Sequence, residues 1–197
     1  MSEVLFQSFD GQRLNLLNLQ PGAFTIETIA HALALKNRFT GHTIAPYSVA
    51  QHCVEGSWRI AGPFKLAFLL HELDEVFLPD IHGPLKGRLF VSIDSGHVVG
   101  RPMTWQELGA EHEYCALEAL GLSSLHPVIK SPEVKTMDWQ MLWIEKMNFM
   151  KPVDWEWSFP KGFEPYRGDM GPMDVQPWDW REAERSFIRT YETLVRT

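Results

Sequence analysis

Residues 66–77 read LAFLLHELDEVF. An apolar run from Leu66 to Leu70 passes without a break into His71, Glu72, Asp74 and Glu75. Leu66, Leu69, Leu70 and Leu73 recur at helical spacing, which predicts a core-facing helix over residues 64–78. Ionisable groups in such a helix are costly to bury unless they pair with one another or hold a cation. The stretch therefore points to a helical core with a polar centre built into it.

The flanking sequence extends the helical pattern. Ile26, Ile29, Ala30, Leu33 and Ala34 predict a helix from Thr25 to Leu35. The segment NRFTGHTIAPY (37–47) reads as a loop, and Ser48 can cap a helix running to about Ile60. Residues 79–102 read as irregular, with SIDSGHVVGR (92–101) as a loop or small flap. Thr104 and Glu107 form a capping box for a helix to Leu120. Ser131-Pro132 opens a helix to about Phe149, and Asp179 with Glu182 opens a last one over 179–195. Residues 151–178 are rich in Pro, Gly and Trp and have no period, so they read as a long loop that either covers a site or wraps the bundle. VLFQSF and QRLNLLNL around Asp10-Gly11 suggest a short N-terminal β-hairpin. The expectation is an all-α bundle of about six helices forming one domain over 1–197.

Composition narrows the function. The chain has 197 residues, 45% of them hydrophobic and 22% charged, with a net charge of −7. That acidic balance argues against a nucleic-acid polymer or an anionic membrane as partner, while leaving room for a small anion held through a metal. Cys53 and Cys115 show no metal or disulfide spacing and read as buried free thiols of a reducing compartment. The N-terminal stretch has no signal-peptide pattern, and no apolar run approaches the roughly 18 residues of a membrane span. A cytoplasmic protein is expected.

Two histidines stand apart from the rest. His31, His97, His112 and His126 read as structural, whereas His52 and His71 lie on or beside apolar faces that can pack together. Glu72 follows His71, and Asp138 shares a face with Val134, Met141 and Leu142. Two imidazoles and two carboxylates converging in a helical bundle suit a divalent cation. Glu75, one turn beyond His71, and Asp80 are placed to orient ligands or to act as acid and base. Asp74 reads as a solvated surface acid.

The order His52, His71-Glu72, Asp138 resembles the HD-domain metal-dependent phosphohydrolases. RFTGHTIAPYSVAQH (38–52), AFLLHELDEVFLPDIHGPLK (67–86) and VKTMDWQMLWIEK (134–146) are similar to segments of two HD groups. These are the bacterial 5′-deoxynucleotidases and a phage-borne group that includes dATP triphosphohydrolases. IAHALA (29–34) and the Trp-rich end resemble the phage group more closely. The resemblance implies an HD-type bundle and a divalent metal (Co, Mn, Zn or Mg) on His52, His71, Glu72 and Asp138. It implies catalytic roles for Glu75 and Asp80, phosphate contacts from Arg38 and Lys86, and a sugar contact from Phe39 that disfavours a ribose 2′-OH. His42 is a further phosphate-binding candidate, and a homo-oligomer is implied at family level.

Two positions depart from the family pattern. Glu72 stands where the family has Asp, and its extra methylene moves the carboxylate by about 1.5 Å. Gly41 stands where the adenine-specific enzymes carry a bulky residue, so adenine selectivity does not carry over. The implied activity is release of triphosphate from deoxynucleoside triphosphates. The alternatives are a 5′-deoxynucleotidase and a non-catalytic binder of a nucleotide or protein partner.

Overall fold

The computed structural model describes residues 3–91, 103–170 and 175–196, and over these the chain is all-α. The expected flap at 92–101, with His97, lies outside the described residues, as do positions 171–174 of the long loop. The N-terminal hairpin is present: β1 (Leu5–Gln7) pairs antiparallel with β2 (Arg13–Asn15), with Leu5 opposite Asn15.

The longer helices start where the caps place them. In α1 (Ile26–Leu35) the Thr25 side chain accepts from the Thr28 amide, and in α2 (Val49–Arg59) Ser48 accepts from Gln51. After α3 (Lys65–Leu69) and α4 (Gly83–Lys86) comes a short antiparallel pair, β3 (Phe90–Val91) with β4 (Met103–Thr104). The Thr104–Glu107 capping box opens α5 (Trp105–Ala119), and α6 (His126–Ile129) follows. Ser131 caps α7 (Pro132–Phe149), and Asp179 caps α8 (Trp180–Leu194). Among the described residues five helices are ten residues or longer and three are short, beside the about six expected. The supposedly irregular stretch after Pro79 contains α4 and β3.

Helix α2 is the centre of the bundle. Every residue from Val49 to Ser57 is buried, because α1, α3, α7 and α8 all pack on it. His52 is thus held in the middle of the molecule. Gly56 sets how closely α3 approaches: a Cβ there would lie 2.0 Å from the Phe68 ring. The missing side chain lets Phe68 lie against α2 and brings the end of α3 near His52.

The helix expected over 64–78 is broken. It ends at Leu69; Leu70 and Glu72 have φ near −105° with ψ of 9° and 26°, and a 3-10 turn covers Leu73–Glu75. His71 is therefore not in mid-helix. On a continuous helix adjacent side chains point about 100° apart. The break changes the relative directions of His71 and Glu72.

The second half of the long loop wraps the bundle. Tyr166 and Val175 join the core, and the Gln51 amide donates to the Gln176 carbonyl at 2.7 Å while accepting from Trp178 N at 3.0 Å.

Candidate metal centre

His52 on α2, His71 and Glu72 after α3, and Asp138 on α7 converge as expected. Each offers one ligand atom within 4.8 Å of all the others. His52 Nε2 lies 3.3 Å from His71 Nε2 and 3.7 Å from Asp138 Oδ1. His71 Nε2 lies 3.6 Å from Glu72 Oε1 and 3.8 Å from Asp138 Oδ1. Ligand atoms of a tetrahedral cation with bonds near 2.0–2.1 Å stand roughly 3.3 Å apart. The pairs at 3.3–3.8 Å lie close to that spacing, and the group as a whole, within 4.8 Å, could hold a metal ion. The extra methylene of Glu72 does not carry its carboxylate out of the group.

The imidazole tautomers test the fit. His71 Nδ1 is 2.6 Å from the Phe68 carbonyl oxygen, which can only accept, so this nitrogen carries the hydrogen. His52 Nδ1 is 2.5 Å from Glu145 Oε1 and donates to that carboxylate. In the neutral rings both Nε2 atoms then present lone pairs to each other across 3.3 Å. Such an apposition is repulsive unless a cation or a proton stands between them. Burial opposes charge on His71, but the nearby Glu72 and Asp138 carboxylates outweigh it and push the imidazole well above its ordinary range. Burial likewise opposes the ionised Asp138, yet His71 holds this carboxyl well below the usual range.

Glu145 shares the Asp138 face in the sequence pattern but was given no role there. It is fully buried, holds His52 in one tautomer, and accepts from Arg38 Nη2 at 3.1 Å. A carboxylate behind a histidine ligand fixes the ring and raises its basicity. A signal existed: Glu145 stands seven residues, two helical turns, after Asp138 on the same helix. Lys135, one turn before Asp138, was missed too; its ammonium lies 2.9 Å from Asp138 Oδ2.

Arg38 reaches the centre from a strained turn. It is buried, donates to Glu72 Oε1 at 3.2 Å, and leaves Nε without a partner among the described residues. Phe39 (φ 54°), Thr40 (φ 50°) and Gly41 (φ 80°) are consecutive left-handed residues. For non-glycine residues this conformation costs about 1–2 kcal/mol each, and strain of this kind gathers at functional sites. Gly41 is thus explained by its backbone as well as by the room it leaves. His42 is exposed and ends the turn through its amide on the Phe39 carbonyl; none of the described hydrogen bonds joins its side chain to the centre.

Glu75 lies beside the centre, only 1% exposed. Lys86 Nζ donates to Glu75 Oε1 at 2.7 Å, and Glu75 Oε2 has no partner among the described residues. Burial, reinforced by the charge of Glu72, raises the Glu75 carboxyl to about 8 despite Lys86. Asp74 is not the solvated acid expected. It packs on Gly109 of α5, 3.8 Å from Lys86 Nζ, and burial raises its carboxyl to about 6. Asp80 is half-buried and, among the described residues, accepts no hydrogen bond; its charge acts on Arg38, Glu75 and Lys36.

The first half of the long loop meets this rim. Trp157 packs edge-on against Phe39, ring centroids 5.8 Å apart. One half of the loop thus meets Phe39, and the other packs on the bundle.

No protein-family model matches the chain. Over 106 residues, 48% of its length, it is 40% identical to an uncharacterized protein of Rhodobacter capsulatus, covering 54% of that protein. Over 80 residues, 41% of its length, it is 34% identical to the uncharacterized protein YfdR of Escherichia coli K12, covering 45% of it. The chain spans about half the length of these curated relatives. No described helix is long and apolar enough to cross a membrane.

Proposed function

We propose that the protein is a metal-dependent phosphohydrolase of deoxynucleotides, releasing triphosphate from a deoxynucleoside triphosphate. The observation that carries this reading is the facing pair of Nε2 atoms at 3.3 Å with Glu72 and Asp138 beside them. Two imidazoles and two carboxylates suit Zn, Co or Mn, and Mg less well. A divalent cation held there supplies Lewis acidity toward phosphoryl oxygens and acidifies water.

The protein's own groups take the remaining roles. Glu75, raised to about 8, is poised near neutrality to give or accept a proton, with Asp80 as the supporting acid. Arg38 and Lys86 place positive charge near the phosphate oxygens. Phe39 supports the sugar. The resemblance of residues 38–52, 67–86 and 134–146 to HD phosphohydrolases supports these assignments and the choice of a deoxyribose.

A second reading, a 5′-deoxynucleotidase, is favoured by one observation. Both outer nitrogens of Arg38 and the ammonium of Lys86 are engaged by carboxylates, so little free cationic capacity remains for a triphosphate. The test incubates the purified chain with deoxynucleoside mono- and triphosphates in Mg, Mn, Co or Zn and resolves the products by anion exchange. Triphosphate release supports the first reading and phosphate release the second. No turnover of any nucleotide with any metal overturns both.

A further inference from the structure

We propose that Trp155 and Trp157 form the stacking wall for the base of the nucleotide, an inference that rests on the reading above. A continuous line of contacts leads outward from the metal centre. Arg38, bonded to Glu72, has its guanidinium carbon 5.7 Å from the Phe39 ring centroid. Phe39 meets Trp157 at 5.8 Å, and Trp157 lies parallel to Trp155, 15° apart in plane with centroids at 6.5 Å. The sequence of chemistries is carboxylate, guanidinium, phenyl, indole, indole. A nucleotide carries its parts in the matching order, with phosphate, then sugar, then a flat base.

The outer indole is presented to solvent. Trp155 is 60% exposed, among the most exposed large apolar side chains of the described residues. Lys146 stands over Trp157, its ammonium 5.6 Å from the ring centroid. Lys146 follows Glu145 on α7, the helix that also carries Asp138, so one helix positions both the wall and the metal centre. A parallel indole pair binds a base through its π-face, which every base has. The wall therefore confers affinity with little discrimination among bases.

The test uses the full metal-loaded chain and two probes that are not turned over: deoxyadenosine, which carries a base, and inorganic triphosphate, which does not. Calorimetric titration of Trp155→Ala and Trp157→Ala is expected to show deoxyadenosine weakened about tenfold and triphosphate by less than twofold. Trp155→Phe keeps a stacking ring and should recover most of the deoxyadenosine affinity. Unchanged deoxyadenosine binding, equal weakening of both probes, or no deoxyadenosine binding by the unaltered chain overturns the proposal. Failure of hydrolysis in the product assay overturns only the catalytic reading, because these titrations require no turnover.

Discussion

His52 Nε2 and His71 Nε2 face each other across 3.3 Å with both Nδ1 atoms already engaged, one on Glu145 and the other on the Phe68 carbonyl. Both rings cannot stay neutral with nothing between them. Either a proton or a metal ion relieves the pair, so the two compete. His71 sits well above its ordinary range, held there against burial by Glu72 and Asp138. Metal binding at neutral pH is therefore expected to release a proton, and apparent affinity to fall about tenfold per pH unit on acidification. Calorimetry in buffers of different ionisation enthalpy measures the proton count. Zero proton release would contradict a protonated His71 in the metal-free chain.

Removing the Glu72 carboxylate should empty the site. Glu72→Ala leaves three donors and frees an Arg38 nitrogen, so metal-dependent deoxynucleotide turnover should drop at least a hundredfold. Glu72→Asp keeps an oxygen donor and should stay within about tenfold of the unaltered chain. Full phosphate release by the alanine variant would remove Glu72 from the ligand set.

Glu145→Gln tests the residue behind His52. The amide can still accept from the ring but loses its charge, and partners of this kind are worth about 10- to 100-fold in metal affinity. Competition with a chromogenic chelator reads this directly. An unchanged affinity would show that Glu145 serves Arg38 alone.

Glu75 gives a pH signature in the metal-free protein. Its carboxyl is raised, chiefly by burial, from 4.5 to about 8. The folded chain then keeps a proton that the unfolded chain releases above 4.5. The stability this provides is full below pH 4.5 and is lost as pH rises toward 8. Glu75→Gln does not titrate, so its melting temperature relative to the unaltered chain should climb between pH 5 and pH 8, while activity is lost. Parallel melting curves across that window would refute the shift.

Gly56→Ala probes how α3 is seated. The added methyl would meet the Phe68 ring at 2.0 Å. Overpacking of this sort costs about 1–3 kcal/mol, or a melting point lowered by several degrees for a chain of this size. Displacement of α3 also moves His71, so metal affinity should fall with stability. A variant that melts normally would mean that the ring moves aside freely.

The helices were legible because caps and periodicity act locally: Thr25, Ser48, Thr104, Ser131 and Asp179 all cap the helices expected of them. The four-residue group was legible because ionisable side chains on apolar faces demand a partner. The break at Leu70 was not, since the apolar spacing of Leu66, Leu69, Leu70 and Leu73 continues straight through it; the preference that wins there is tertiary. Asp74 was misread for a related reason, as its burial comes from α5, thirty-five residues away in sequence. Glu145 was overlooked because one acid in an amphipathic helix resembles any solvated one until Arg38 and His52 are placed against it.

The interruption between α3 and the Leu73–Glu75 turn has a consequence for anyone who would strengthen this chain. Leu70 to Glu72 is where a stabilisation effort would be drawn first, since better helix formers there would extend α3 and add hydrogen bonds. Straightening the segment would reset the directions of Glu72 and His71 to the about 100° separation of neighbours on a regular helix. Such a variant should be hardier and inert, with its thermal tolerance gained at the expense of the geometry that gathers four donors around one point.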